Sequence, residues 1–172
     1  MEKYIFTEKF TLIPKEFYTP EQGREALMAQ FSLSGDAPVH SLELDDEGAV
    51  VVYSSPLQQE GGETLPPFVA KLIRHAKAVG EFNKVVLHFS AQRGISHIVI
   101  YAGEELKLVN SFKVDSFESA LYFLFLSIKG LQMNPQQCVV NVCWAIPQHS
   151  IDIVSRFFKG VEVSDLDIHI IQ

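Results

Sequence analysis

Residues 84–114 read KVVLHFSAQRGISHIVIYAGEELKLVNSFKV. Three runs rich in β-branched and aromatic residues lie here in quick succession, at 84–89, 96–102 and 106–114. Two short polar segments part them, one centred on Gly94 and the other Gly103-Glu104-Glu105. Strands joined by loops this short must run antiparallel, because a parallel return needs a crossover of a dozen residues or more. The pattern then changes. Residues 115–131 place Phe117, Leu121, Leu124 and Ile128 at helical spacing, with Asp115 as expected N-cap, Glu118 as its capping-box partner and Gly130 near the end. Residues 138–146 are nearly continuously apolar, which marks a strand covered on both faces, ended by Pro147. A short helix through Ile151, Val154, Phe157 and Phe158 stops at Gly160, and residues 161–171 read as one final strand.

Upstream, residues 4–13 read as a strand ended by Pro14. Thr19, Pro20 and Gln22 then announce a helix carrying Ala26, Leu27 and Phe31. Residues 39–44 and 49–53 form a strand pair around the turn Asp45-Asp46-Glu47-Gly48, where Gly48 is free to take positive φ. Residues 58–63, QQEGGE, are polar and glycine-bearing, and they are the expected boundary between two lobes, 1–63 and 64–172. Residues 66–79 have helical apolar spacing, with Lys71, Arg74 and Lys77 on the other face; a solvated helix face accounts for that basic stripe.

Composition narrows the function. The chain has 172 residues, 47% hydrophobic and 20% charged, so it can form a core without a disulfide or metal staple. Its net charge of −7 repels phosphate backbones and disfavours nucleic-acid binding. The start of the chain alternates acidic and basic residues, unlike a leader peptide, and no apolar run is long enough to span a bilayer, so a cytoplasmic protein off the membrane is expected. The odd spacing of Cys138 and Cys143 puts them on opposite strand faces, as buried thiols rather than a pair.

The order strand, strand, strand, helix, strand, helix, strand resembles the ribonuclease H-like topology repeated in actin, hexokinase and heat-shock ATPases. The runs Gly103-Glu104-Glu105-Leu106-Lys107-Leu108-Val109-Asn110-Ser111-Phe112 and Ser116-Phe117-Glu118-Ser119-Ala120-Leu121-Tyr122-Phe123-Leu124 are similar to a bacterial family of uncharacterised proteins, a domain of unknown function with an actin-like ATPase fold. Phe10-Thr11-Leu12-Ile13-Pro14 and Ala49-Val50-Val51-Val52-Tyr53 resemble its N-terminal lobe. The resemblance implies an α+β (mixed α/β) protein: an actin-like, ribonuclease H-like C-terminal lobe with a reduced N-terminal lobe.

It also implies places where chemistry would sit. Actin-like ATPases carry an Asp and glycines in the turn between the first two strands of a lobe, where backbone amides cradle phosphate and the acid organises a metal ion. The matching turn, Ser90-Ala91-Gln92-Arg93-Gly94-Ile95-Ser96, has one glycine and no acid, and Asp45-Asp46-Glu47-Gly48 would repel phosphate. The carboxylates of a two-metal nuclease are replaced by His88, Ser90, Asn141 and Trp144. Of the six histidines, His88 and His97 are the pair that adjacent strands could bring together; a two-His metal site there is outweighed by ordinary strand packing. Asn110 and Ser111 are polar in an apolar strand, and a bond to the loop around Asp115 is the expected explanation. Phe123 and Leu126 point away from the Phe117 stripe and call for separate cover, from the N-terminal lobe or a second subunit.

No catalytic, cofactor-binding or metal-binding residue is therefore assigned, and no cofactor is expected. The leading expectation is a non-catalytic scaffold or interaction protein, with a protein partner or a homodimer as its assembly. The alternatives are a divergent ATP-binding ATPase and a small-molecule sensor using an interlobe groove.

Overall fold

The computed structural model describes residues 1–55, 64–144 and 146–171. It divides into two compact units, Met1–Lys71 with Asp167–Gln172, and Leu72–Leu166. The expected lobe boundary at 58–63 lies outside the described residues.

In the first unit, strands β2 (Phe10–Pro14), β3 (Val39–Leu44) and β4 (Ala49–Ser54) form an antiparallel sheet in the order β2-β4-β3. Gly48 takes φ 58 in the turn that joins β3 to β4, as its place in the sequence requires. Helix α1 (Pro20–Gln30) lies on this sheet, its Thr19 cap accepting from the Gln22 N–H and its Leu27 packed with Val50 and Val52. At Gly23 the approach is so close that a Cβ would sit 2.9 Å from the Tyr18 ring and 3.2 Å from Val52. The run 4–13 is broken: β1 (Glu2–Ile5) leaves the sheet and pairs in parallel with β10 (Ile168–Ile171). The break is held where Thr7 donates its hydroxyl to the Ser54 carbonyl at 2.7 Å. The final run is likewise two strands, not one.

The second unit contains strands β5 (Asn83–Ser90), β6 (Ile95–Ala102), β7 (Glu105–Lys113), β8 (Val139–Cys143) and β9 (Gly160–Ser164), and helices α3 (Phe117–Gly130) and α4 (Gln148–Phe157). The remaining helix, α2 (Phe68–Ala78), contains the division between Lys71 and Leu72. The sheet order is β7-β6-β5-β8-β9, with β5, β6 and β7 antiparallel and β5, β8 and β9 parallel. Val85, Leu87, Ile98, Ile100, Val140 and Val142 line one face and pack with Phe117, Leu121, Leu124 and Ile128 of α3 and with Val154 of α4.

Three local expectations change. The N-cap of α3 is Ser116, whose extended backbone lets its hydroxyl accept from the Ser119 N–H. Asp115 instead accepts from the Ser119 hydroxyl at 2.6 Å, and this bond foremost holds its carboxyl below the usual range. Strand β8 stops at Cys143 because Trp144 turns left-handed, with φ 65. Phe123 needs no other lobe or subunit: it stacks on Phe112 of β7, with ring centroids 4.6 Å apart. On the opposite flank of α3, Phe125 packs against Phe157 and Phe158.

These two kinds of apolar position on α3 respond differently to truncation. Leu124 is 0% exposed, and Leu124→Ala should lower unfolding free energy by about 2–5 kcal/mol. Leu126 is 46% exposed, and Leu126→Ala should change it by less than about 0.5 kcal/mol. Urea unfolding at a single low protein concentration checks both; equal losses would mean that the helix is rotated from this packing.

Candidate functional site

Paired residues on neighbouring strands share a sheet face. The register therefore sets Ser111, His97, His88, Cys143 and Ser164 in one line across all five strands of the second unit. This line lies on the face opposite α3 and α4, near the carboxyl ends of the parallel strands β5, β8 and β9. In open α/β sheets ligands bind outside that end, so this is where a site must be sought.

The line holds little free charge. His88 is 3% exposed and His97 1%, and their Nδ1 atoms are 3.1 Å apart, so one ring donates to the other. Burial foremost, with the charges of His97 and Arg93 adding, pushes the His88 imidazole down to about 2. The edge of the Trp144 indole meets His88 at 5.4 Å between centroids. Burial pushes the Cys143 thiol up to about 12, so at neutral pH it is neither nucleophile nor thiolate ligand. Among the described residues no group of three or more His, Cys, Asp or Glu is placed to hold a metal ion.

The turn above this line is closed on itself. The Arg93 N–H donates to Ser90 Oγ at 3.3 Å, and the Gly94 N–H to the Ser90 carbonyl at 2.9 Å. Gly94 has φ 63, and a Cβ there would lie 3.2 Å from the Val114 carbonyl oxygen, whose own residue donates its N–H to the Gly94 carbonyl. Across the sheet end, the Trp144 N–H donates to the Ser164 carbonyl at 2.7 Å and fixes its left-handed backbone.

One row further back, Asn141 joins a helix to the sheet. His75 Nε2 of α2 donates to Asn141 Oδ1 at 2.8 Å, and Asn141 Nδ2 donates to the Glu162 carboxylate at 3.4 Å. Thus the structure brings His88, His97 and Trp144 together, while Asn141 belongs to a separate structural bridge. Asn110 is exposed and its Oδ1 accepts from the Ser111 N–H; the expected bond to the loop around Asp115 is replaced by this local one because β7 is an edge strand. Cys138 packs in the core under α3 and α4, on the other face from Cys143, and both are free thiols.

Comparison with known proteins places this geometry. The family described as Protein of unknown function (DUF3822) matches residues 63–161, 99 of the 172 residues. The chain belongs to this family. It is also similar to a crystal structure from Bacteroides thetaiotaomicron, titled a protein with actin-like ATPase fold and unknown function. The TM-score is 0.78 at 16% identity, over 94% of this chain and 67% of the other. At this identity the likeness establishes the fold, that of an actin-like ATPase, in accord with the ribonuclease H-like order of strands. No curated protein matched the chain. No helix among the described residues is long and apolar enough to cross a membrane.

A neutral buried His88 ties stability to acid. An unfolded histidine takes up its proton near pH 6.5, while folded His88 resists it down to about 2. Its contribution is therefore complete above pH 6.5 and is lost as pH falls below it, by about 1.4 kcal/mol per unit. Denaturant unfolding at pH 6.5 and pH 5 should differ by about 2 kcal/mol, and His88→Gln should remove most of that difference. An unchanged pH dependence in the variant would show that His88 titrates normally.

Proposed function

We propose that this protein is a non-catalytic, actin-like scaffold or interaction protein of the bacterial cytoplasm. One observation carries the reading. The turn between β5 and β6, where the fold resemblance looks for phosphate-cradling amides, directs the Arg93 and Gly94 N–H groups to Ser90. Residues 90–96 also bring no carboxylate that could organise a magnesium ion. A phosphate would have to break these two hydrogen bonds to reach the Arg93 and Gly94 amides.

The line beneath the turn supports the same reading. Burial leaves the His88 imidazole too weak a base to take up a proton at neutral pH, and keeps the Cys143 thiol from ionising to a nucleophilic thiolate. The bacterial source is suggested by the Bacteroides neighbour, and two buried free thiols suit a reducing compartment. The chain also exposes large apolar side chains on two helices of the second unit: Tyr122 is 60% and Phe157 48% accessible. Such side chains suit contact with another protein.

Titration calorimetry with ATP and magnesium ions tests the proposal. No saturable heat should appear at affinities of tens of micromolar, roughly −6 kcal/mol. Saturable binding in that range would overturn the scaffold reading in favour of a divergent ATPase.

A further inference from the structure

The outward stripe of α3 has a pattern that its packing does not explain. Phe117, Leu121, Leu124 and Ile128 face the sheet core, and Phe123 and Phe125 are covered on the flanks by Phe112 and by Phe157 with Phe158. Glu118, Tyr122, Leu126 and Lys129 are all exposed. At 3.6 residues per turn these four form a single stripe, about a third of a turn from the core-facing one. Neither Glu118 nor Lys129 has a side-chain ion pair or hydrogen bond among the described residues.

The stripe is self-complementary. Its acid lies at the N-terminal end, its base at the C-terminal end, roughly 16 Å apart, with the two apolar residues between them. Rotating a second copy about a two-fold axis through the midpoint, between Tyr122 and Leu126, lays α3 antiparallel on itself. Glu118 then meets Lys129 of the second copy, Lys129 meets Glu118, and each Tyr122 meets a Leu126. An isologous interface demands this of one surface: every residue must find its partner on the same patch turned round.

We infer that the chain self-associates through this stripe as a two-fold dimer, with exposed Phe157, which leans on Phe125 at 5.4 Å, extending the apolar area to one side. The occupant is a second copy rather than a different protein because the charges at the two ends are opposite and symmetrically placed. The net charge of −7 on each copy opposes the approach at long range, and salt near physiological strength screens that repulsion beyond about 8 Å. A small central cluster of this kind supports association that depends on concentration, with Tyr122 as its anchor.

This deepens the interaction reading above and rests on it, yet the two fail separately. A chain that binds nucleotide and dimerises removes that reading alone; a chain that binds neither nucleotide nor its own copy removes this one alone. The test uses sedimentation of the full chain at physiological salt. The wild-type mass should rise from 19.3 kDa toward twice that value as concentration increases. Glu118→Lys gives a stripe with two bases and Lys129→Glu a stripe with two acids, so each variant alone should stay at the monomer mass. Both sites are exposed, and circular dichroism should show unchanged folding. An equimolar mixture of the two variants should regain the dimer, because both end pairs are then complementary. A wild type that remains monomeric throughout would overturn the inference and leave the stripe to another protein. So would single variants that associate like wild type, or a mixture that fails to recover.

Discussion

The second unit depends on strand β5 being hydrogen-bonded on both sides, antiparallel to β6 and parallel to β8. That double pairing takes a run of alternating character and gives each alternate residue a fixed face. Val85 and Leu87 go to the core under α3 and α4, while Lys84, Val86 and His88 go to the other side. A slip of one residue would move Lys84 and His88 away from their polar partners and in among the leucines and phenylalanines under α3 and α4, so the register is strongly specified. The opposite face is kept by local polar bonds. Lys84, on that face, sends its ammonium to the Lys77 carbonyl at the end of α2 at 3.0 Å, which satisfies both a buried cation and an orphan helix acceptor.

The same constraint shapes what the site can do. With the register fixed, His88 must sit opposite His97 and beside Cys143. Away from water, His88 and Cys143 are held neutral by burial, and the two imidazoles bond to one another. Trp144 adds a cover that costs backbone strain of about 1–2 kcal/mol, offset by its bond to Ser164 and its contact with His88. An actin-like frame has here filled the end of its sheet with buried histidines, a thiol and an indole, and fold alone would never have revealed that, because function belongs to the site rather than the frame.

Much of this was legible in the residues. The three strands between positions 84 and 114 and the helix after them follow from periodicity and short turns, and the meeting of His88 with His97 follows from their pairing. Other features carried no sequence signal. A tryptophan in left-handed conformation is a tertiary outcome, forced by the bond that draws its N–H to β9. The break between β1 and β2 was hidden because residues 4–13 are good strand formers throughout; the separation depends on β10, more than 150 residues away, offering β1 a partner. Ser116 displaced Asp115 as the cap of α3 because both residue types cap well, and backbone conformation chooses between them.

Helix α3 shows why composition misleads about exposure. Its apolar residues point almost all round, which read alone describes a helix buried on every side. Burial is decided by neighbours instead. The sheet covers one stripe, edge strand β7 supplies Phe112 for one flank, and α4 supplies Phe157 and Phe158 for the other. No further element of the unit lies over the outer side of α3, so Tyr122 and Leu126 stay in water. A helix needing only a solvent face gains nothing from apolar residues there, since Glu or Lys would serve with equal helix propensity and better solubility. Their presence between one acid and one base, on the single side the fold leaves bare, is therefore a feature that the stability of the isolated chain does not require.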